Sequence, residues 1–435
     1  MDLSRRQLLG AAGALSLPAV LAACGGFSTS GSSPQPSGGD SNTLTFTTWG
    51  TDAELAGFRS AIDGFQKANA GTTVTLNAVP YSQMFTNIDA QLQAGNPPDI
   101  FRVPYYTFGS YAGRGQLLDL SGQLPGGFSD RFTSAAWAAV QNKSKPFGVP
   151  HHTDTSVILY NKTALDSYGI TSVPTTLDQA WTWEQFEQVL LQLRSKLPAD
   201  KFPYVANWQG NGVTRWLTWL FENNGRFLAE DLKAPAISSD AGRAAVDFTK
   251  SFFARQLVPP NSSVKSTTVA ADIWYSQTAV MSSGGAFQIP DATKNLKFEW
   301  GATFSPRKLR SASDFGGNAL VATAATKKPA LAAAFLDYAT QTEQMRSFCA
   351  TASLLPTRKD LVSEGITFAV RPELAPVFIG QASTVQPGDS GQVASPVMSK
   401  IITVLKDQLE LAFVGNQSTD ATLKGLSDGI AAATA

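Results

Sequence analysis

Residue types suited to holding a small polar ligand follow several segments that are predicted to be β-strands. Trp49 directly follows the first such segment, and Tyr105 and Tyr106 follow a later one. His152 and Asp154 come at the end of another. In open α/β sheets, ligands bind outside the carboxyl ends of the strands, where these residues are expected. Aromatic faces suit the C–H patches of a sugar and polar groups suit its hydroxyls, so the pattern favours a sugar-binding site.

The same residues are also compatible with other classes of ligand. Paired tyrosines, here Tyr105 and Tyr106, are typical of ferric-binding proteins, and the adjacent His151 and His152 add nitrogen ligands. A ferric or other metal-ion site would need three or four of these groups to converge. A peptide or polyamine is a further alternative, although an amine would favour several carboxylates and only Asp154 stands out.

Sequence signatures of catalysis are absent, which argues against an enzyme. Its one G-x-S-x-G pattern, Gly425–Gly429, follows no predicted strand, and the chain has no phosphate- or dinucleotide-binding glycine loop. A secreted carbohydrate-active enzyme would need two carboxylates placed across a cleft, and no local motif marks such a pair. Cys349 lies far in sequence from the only histidines, His151 and His152, and is interpreted as a small buried residue. We therefore expect a binding protein without a cofactor.

Alternation of strand and helix patterns in the first half predicts an α/β lobe with a parallel sheet. Strands are predicted at Leu44–Thr48, Val74–Ala78, Asp99–Val103 and Val157–Tyr160. Helices are predicted between the first three strands and at Phe186–Leu193, Ala330–Met345 and Val397–Leu411.

The first residues have the pattern of an export signal. Residues 1–23 carry a twin-arginine-like start, Ser4–Leu9, although the general secretory route is also compatible. Leu21–Cys24 resembles the lipobox of bacterial lipoproteins, in which Cys24 becomes the lipid-modified first residue. Residues 24–42 are rich in Gly, Ser and Pro and predict a flexible tether. These features predict an extracytoplasmic protein anchored to the cell membrane.

Length and charge restrict the remaining possibilities. A chain of 435 residues is long for one core, so two domains are expected. Lys plus Arg and Asp plus Glu number 34 each. This balance offers no basic surface for nucleic acid.

Short motifs along most of the mature chain, about residues 43–360, occur in the order found in one family. They are Leu44–Trp49, Pro98–Ile100, Gly115–Leu120, Phe147–Pro150, Leu159–Lys162, Thr182–Glu184, Ala279–Met281 with Gly284–Gly285, Phe315–Asn318 and Leu355–Arg358. In this order, behind a lipobox, the sequence resembles the family 1 extracellular solute-binding proteins, the sugar-binding group that includes maltose-binding protein.

The resemblance implies a type II periplasmic-binding-protein fold, in which two α/β lobes are joined by a hinge and hold the ligand in the cleft between them. Lobe 1 is expected at residues 43–153 plus 318–355, and lobe 2 at 154–317 plus 356–435. Crossings between the lobes are expected near Thr153–Ser156, Phe315–Asn318 and Leu355–Thr357. The implied function is that of a monomeric lipoprotein that delivers a mono- or oligosaccharide to the permease subunits of an ABC importer.

The resemblance also extends the set of candidate ligand contacts. Asp154 matches the position of an acidic sugar contact in the family, and Phe287 stands where the family commonly has a stacking tryptophan. One of Tyr105 and Tyr106 is expected in the cleft. Either His151 or His152 could point into the cleft; the alternative is that one lies in the lobe interface and the other in solvent. The remaining candidates are Trp208, Gln209, Asn211, Trp274, Gly285 and Gly317.

Overall fold

Two β-sheets organise the computed structural model, which describes residues 42–435. The predicted signal peptide, Cys24 and most of the tether lie outside the described residues. The strands are β1 Thr43–Thr48, β2 Thr73–Ala78, β3 Ile100–Pro104, β4 Gln141–Asn142, β5 Lys145–Pro146, β6 Val149–Asp154, β7 Val157–Asn161, β8 Phe202–Val205, β9 Ala279–Gly284, β10 Trp300–Thr303 and β11 Gly316–Ala322.

The α-helices surround the two sheets. They are α1 Asp52–Ala68, α2 Tyr81–Gln93, α3 Tyr105–Gly113, α4 Ser134–Ala138, α5 Lys162–Ser167, α6 Trp183–Lys196, α7 Leu217–Glu222, α8 Asp240–Ala254, α9 Ala270–Tyr275, α10 Ile289–Asn295, α11 Pro329–Ala339, α12 Thr342–Ala352, α13 Lys359–Glu364, α14 Ala375–Ala382, α15 Pro387–Val393, α16 Met398–Phe413 and α17 Thr419–Thr434. Between residues 42 and 435, no helix combines the length and the apolar character needed to cross a membrane.

The first sheet has the strand order β2-β1-β3-β11-β6. β1 is parallel to β2 and β3, whereas β11 is antiparallel to both of its neighbours. The carboxyl ends of β1, β2, β3 and β6 therefore meet at the edge where β11 begins. The four strands predicted from the sequence are confirmed, three of them in this sheet.

The second sheet has the order β10-β7-β9-β8. β8 and β9 are parallel, and β7 is antiparallel to β9, so the start of β7 lies at the carboxyl edge of β8 and β9. The chain leaves the first sheet after Asp154, enters the second at Val157, and returns between Thr303 and Gly316. Leu355 then bridges back to Thr153 beside β6. The lobe limits proposed from the sequence stay a prediction.

Local sequence explains why α1 begins shortly after Trp49, the first candidate site residue. The side chain of Thr51 accepts a hydrogen bond from the Glu54 backbone, and the Glu54 carboxylate accepts one from the Thr51 backbone, forming a capping box. The apolar face of α1 then buries Phe58 and Phe65. Phe58 meets Phe46 of β1 edge-to-face at 5.2 Å between ring centroids. This contact fixes α1 against the sheet next to Trp49.

One helix prediction is wrong in its extent. Ala330–Met345 was expected to be continuous, but α11 ends at Ala339 and α12 begins at Thr342. The Thr340 hydroxyl donates to the Leu336 carbonyl at 2.9 Å, and Gln341 has an extended backbone with ψ 156°. A hydroxyl that bonds back to the helix competes with its continuation. The helices predicted at Phe186–Leu193 and Val397–Leu411 are confirmed in α6 and α16, except that Val397 is the N-cap residue that precedes α16.

Candidate ligand-binding cleft

The ligand-facing edges of the two sheets meet at Asp154. This residue ends β6 of the first sheet, and its Oδ1 accepts a hydrogen bond of 3.1 Å from the backbone N–H of Ala286, which follows β9 of the second sheet. A Cβ on Gly285 would lie 2.3 Å from Asp154 Oδ2, so only glycine allows this approach. Phe287 lies beside the same contact, because that Cβ would also come within 2.6 Å of its ring.

Aromatic side chains form a wall on the first-sheet side of this edge. The Trp49 ring lies 5.2 Å from that of Tyr81 and 5.7 Å from that of Phe85, measured between centroids. The hydroxyls of Tyr81 and Tyr106 are hydrogen-bonded to each other. Trp49 and Tyr106 are half-buried, while Tyr81 is exposed. Each of the three follows the carboxyl end of a strand, so the wall presents both ring faces and hydroxyls to one region.

Electrostatics at the edge centre on Asp154, which is only 7% exposed. Burial raises the pKa of its carboxyl to about 7, against a lowering by Arg215 and a further rise from Asp314. The hydrogen bond from Ala286 also lowers this pKa. The carboxyl therefore stands close to the balance between acid and carboxylate at neutral pH, and any group that donates hydrogen bonds to it favours the carboxylate.

Arg215 supplies a cation that was not predicted from the sequence. Its charge lowers the pKa of both Asp154 and Tyr106, so the guanidinium lies near both groups. It lines a small cavity with the buried side chains of Ser156 and Glu222. Arg215 Nε, Ser156 Oγ and Glu222 Oε1 have no hydrogen-bond partner among residues 42–435. A mixture of unpartnered donors and acceptors suits hydroxyl groups, which need both.

The candidate residues Trp208 and Trp274 both lie in hydrophobic cores. Trp208 is 1% exposed, stacks on Phe413 at 4.9 Å and donates from its Nε1 to the Ser262 carbonyl at 2.9 Å. Trp274 is fully buried and meets Trp300 edge-to-face at 5.8 Å. Neither placement favours stacking on a ligand, so both are left out of the site proposed below.

Gln209 and Asn211 differ from each other in their surroundings. Gln209 Nε2 donates to the carbonyls of Ala206 and Ser262, at 3.0 and 2.9 Å, so its amide is held by the backbone of the loops after β8 and α8. Asn211 is exposed in the 3₁₀ turn Gly210–Trp216, which also carries Arg215. The segment that carries these two residues lines the cavity beside Ser156 and Glu222 through Asn207, Trp208 and Arg215.

Tyr105 and the histidines lie beneath the edge. Tyr105 stacks on Phe315 at 4.7 Å and its hydroxyl donates to the His152 carbonyl at 3.1 Å. His151 and His152 are each 1% exposed, so the expectation that one of them lies in solvent is wrong. Burial, with a smaller effect of Arg102, lowers the pKa of His151 to about 3 and that of His152 well below its ordinary value. Both rings are therefore neutral.

The metal alternative is not favoured by this geometry. His152 Nε2 lies 3.0 Å from Arg102 Nη2 and 2.9 Å from Asn318 Nδ2, two groups that can only donate, so its lone pair is already used. Within residues 42–435 no group of three or more His, Cys, Asp or Glu side chains could hold a metal ion.

Gly317, at the start of β11, allows a close approach of two backbones. Its φ is +96°, and a Cβ there would lie 2.4 Å from the His152 carbonyl oxygen. Gly317→Ala is expected to lower the free energy of unfolding by more than Gly71→Ala, where φ is +83° but no atom lies within 4 Å. Gly71→Ala carries only the left-handed penalty of about 1–2 kcal/mol. Urea denaturation measures both, and equal losses would contradict the clash.

The two sheets, the cleft and the hinge strands, which are β6 and β11 next to the chain crossings, define a two-lobed binding protein with the α/β periplasmic-binding-protein fold. Residues 49–346 match the family described as bacterial extracellular solute-binding proteins, and the chain belongs to that family. The resemblance seen in the sequence motifs is thereby confirmed.

Curated relatives share low identity over much of the chain. The maltooligosaccharide ABC transporter solute-binding lipoprotein of Streptococcus pneumoniae (strain ATCC BAA-255 / R6) is 23% identical over 349 residues, which cover 76% of this chain and 77% of the relative. The diacetylchitobiose binding protein DasA of Streptomyces coelicolor (strain ATCC BAA-471 / A3(2) / M145) is 25% identical over 182 residues, covering 40% of this chain and 41% of the relative.

Solved structures show the same fold. The GacH receptor of Streptomyces glaucescens GLA.O, solved unliganded and with acarbose, has a TM-score of 0.75 at 20% identity and covers 89% of this chain and 96% of its own. The substrate-binding protein Lmo0181 of Listeria monocytogenes, solved with cycloalternan, has a TM-score of 0.77 at 19% identity and covers 89% and 97%. These similarities establish the fold.

Proposed function

We propose that this protein binds an uncharged mono- or oligosaccharide between its lobes and delivers it to the permease subunits of an ABC importer. The observation that carries the proposal is the combination of the aromatic wall of Trp49, Tyr81 and Tyr106 with Asp154 and Arg215, which lie at or after the carboxyl ends of strands in the two sheets. The curated relatives named above carry names of sugar-binding proteins.

Each part of the edge has a role in this proposal. Trp49 and Tyr81 stack on the apolar faces of the sugar, and Phe287 offers a second face from the other lobe. Asp154 accepts hydrogen bonds from sugar hydroxyls, and Arg215 donates to hydroxyl oxygens. Because a cation and several acidic side chains share the cleft, a neutral ligand with many hydroxyls fits better than a strongly charged one. Gly285 allows the loop after β9 to approach Asp154 closely, and Gly317 allows β11 to approach β6.

The proposal includes the setting of the protein. We propose that Cys24 carries a lipid anchor, that residues 24–42 tether the body outside the cytoplasmic membrane, and that the protein acts as a monomer without catalysing a reaction. The lipoprotein relative supports this setting. A lipid-anchored receptor stays close to its permease, which raises the effective concentration at which the two meet.

A thermal-shift panel tests sugar binding directly. Maltooligosaccharides, diacetylchitobiose and common monosaccharides are each added to the purified protein. A sugar at a hundred times its Kd is expected to stabilise the fold by about 2.7 kcal/mol, seen as a higher melting temperature. The Trp49→Ala variant is the control, and we expect it to lose most of the shift. If no saccharide raises the melting temperature of the wild type, the proposed function is wrong.

A further inference from the structure

A buried arginine lies directly behind Trp49. Arg102 belongs to β3, where its neighbours in the strand are apolar, and it is only 2% exposed. Its Nη1 donates to the Trp49 carbonyl at 2.9 Å, and its guanidinium carbon lies 4.5 Å from the centre of the Trp49 ring. A charge inside an otherwise apolar strand is costly unless it is paired and hydrogen-bonded. Both terminal nitrogens of Arg102 have partners, whereas its Nε has none among residues 42–435.

The second nitrogen of the guanidinium joins two further elements. Arg102 Nη2 donates to Glu54 Oε1 at 2.5 Å and lies 3.0 Å from His152 Nε2. Glu54 is the residue whose other carboxylate oxygen completes the capping box of α1. One planar side chain thus contacts the carbonyl of Trp49, the first turn of α1 and strand β6.

The contacts reach both strands next to the chain crossings. His152 lies two residues before the end of β6, and its Nε2 also accepts from Asn318 Nδ2 of β11 at 2.9 Å. His152 and Asn318 face each other in the β6–β11 pairing, where the register shifts. Because the chain passes between the two sheets just beyond these residues, the hydrogen bonds of Arg102 connect Trp49 to the strands next to the crossings, β6 and β11.

We propose that Arg102 is a positioning residue, which holds the Trp49 ring in the orientation that the sugar requires and links it to the hinge strands. The inference rests on the proposed function for its effect on affinity, although the orientation of Trp49 can be measured without any ligand. The planar fork of arginine serves three acceptors in fixed directions. A lysine ammonium in its place is a point charge that cannot hold all three.

The chain offers a matched control in Arg131. This residue pairs with Asp337 at 2.6 Å and its guanidinium carbon lies 4.8 Å from the centre of the Phe128 ring, which resembles the carboxylate and aromatic contacts of Arg102. It makes no hydrogen bond to Trp49, β6 or β11. Arg131→Lys therefore changes an ion pair with similar contacts, although a more exposed one, without touching the cleft.

The experiment compares Arg102→Lys with Arg131→Lys. Each variant is made with and without Trp49→Phe. Subtracting the emission spectrum of the protein that carries Trp49→Phe from that of the protein that keeps Trp49 isolates the fluorescence of Trp49. We expect Arg102→Lys to shift this difference spectrum to longer wavelength and to increase its quenching by acrylamide. We also expect a loss of about tenfold in affinity for the sugar that gives the largest thermal shift. Arg131→Lys is expected to leave the difference spectrum, the quenching and the affinity unchanged.

The outcomes separate the two proposals. If Arg102→Lys lowers the melting temperature but leaves the Trp49 spectrum and quenching as in the wild type, Arg102 is only structural and the inference fails. If no sugar binds, the proposed function fails, while the Trp49 spectrum still decides whether Arg102 positions the ring. Should Arg102→Lys not fold, Glu54→Gln removes the partner charge with little change of shape. It is expected to alter the Trp49 spectrum in the same direction, and an unchanged spectrum there overturns the inference.

Discussion

Replacing Trp274 by alanine is expected to lower the free energy of unfolding by about 3–5 kcal/mol, the usual loss for a large aromatic side chain in a core. Trp274 is fully buried, and its indole packs edge-to-face on Phe298 and Trp300, each at 5.8 Å. Its Nε1 also donates to the Val280 carbonyl at 3.3 Å. Truncation therefore leaves a cavity and removes this hydrogen bond. Equilibrium denaturation in urea measures the loss.

The conservative variant Trp274→Phe separates packing from ligand contact. It keeps most of the buried area, so we expect a partial loss of stability and an unchanged sugar affinity. Trp49→Ala is expected to give the opposite result, because Trp49 is only half-buried and lies on the cleft wall. A Trp274→Phe variant with wild-type stability but no sugar binding would return Trp274 to the site.

The comparison of these tryptophans shows which part of the site was accessible from the sequence. Trp49, Tyr106 and Asp154 were placed together because each follows a strand, and the carboxyl ends of those strands share one edge. Trp208 and Trp274 were chosen for residue type in segments without such an anchor. An indole in a loop or short helix has the same local pattern whether it faces a core or a ligand, since long-range packing decides.

Tyr81 and Arg102 were not predicted as functional residues, although the sequence carried a signal for each. Tyr81 follows β2, and the strand-end argument that selected Trp49 would have found it. Arg102 stands inside the predicted strand Asp99–Val103, and a charge in an apolar strand was the available signal. Its partners Glu54 and His152 are 48 and 50 residues away along the chain, so their pairing required the fold. The fold itself was predictable through family motifs in their characteristic order.

Affinity for the sugar is expected to fall as the pH is lowered below about 7, and Asp154→Asn is expected to abolish this dependence. Burial raises the pKa of the Asp154 carboxyl to about 7, with Arg215 acting in the opposite direction and Asp314 in the same one. Sugar hydroxyls that donate to the carboxylate favour its ionised form, so the pKa is lower in the complex than in the free protein. Binding then releases a proton, and the apparent Kd rises by at most tenfold per pH unit as protons compete below pH 7.

The Asp154 carboxyl should also make the free energy of unfolding depend on pH, but this free energy should fall as the pH rises, whereas the sugar affinity should rise. Since the folded pKa of Asp154, about 7, exceeds its ordinary value of 3.8, the folded state binds the proton more tightly than the unfolded state. Its contribution to the free energy of unfolding is complete below pH 4 and is lost as the pH rises to about 7. Asp154→Asn, which has no charge to bury, should therefore gain stability relative to the wild type across this range. His151 and His152 are unchanged in both proteins, so their own contributions cancel.

Calorimetric titration from pH 5.5 to 8.5, in buffers of different ionisation enthalpy, measures both the affinity and the protons released. Asp154→Asn also replaces a charged acceptor by a neutral one, at a cost of about 1.5–3 kcal/mol, so its affinity above pH 7 should be roughly ten- to a hundredfold lower. Asp314→Asn removes a charge that raises the Asp154 pKa, and it should move the midpoint of the pH profile below 7. A wild-type affinity that is constant over this range, with no proton release, would show that the sugar does not contact the Asp154 carboxylate.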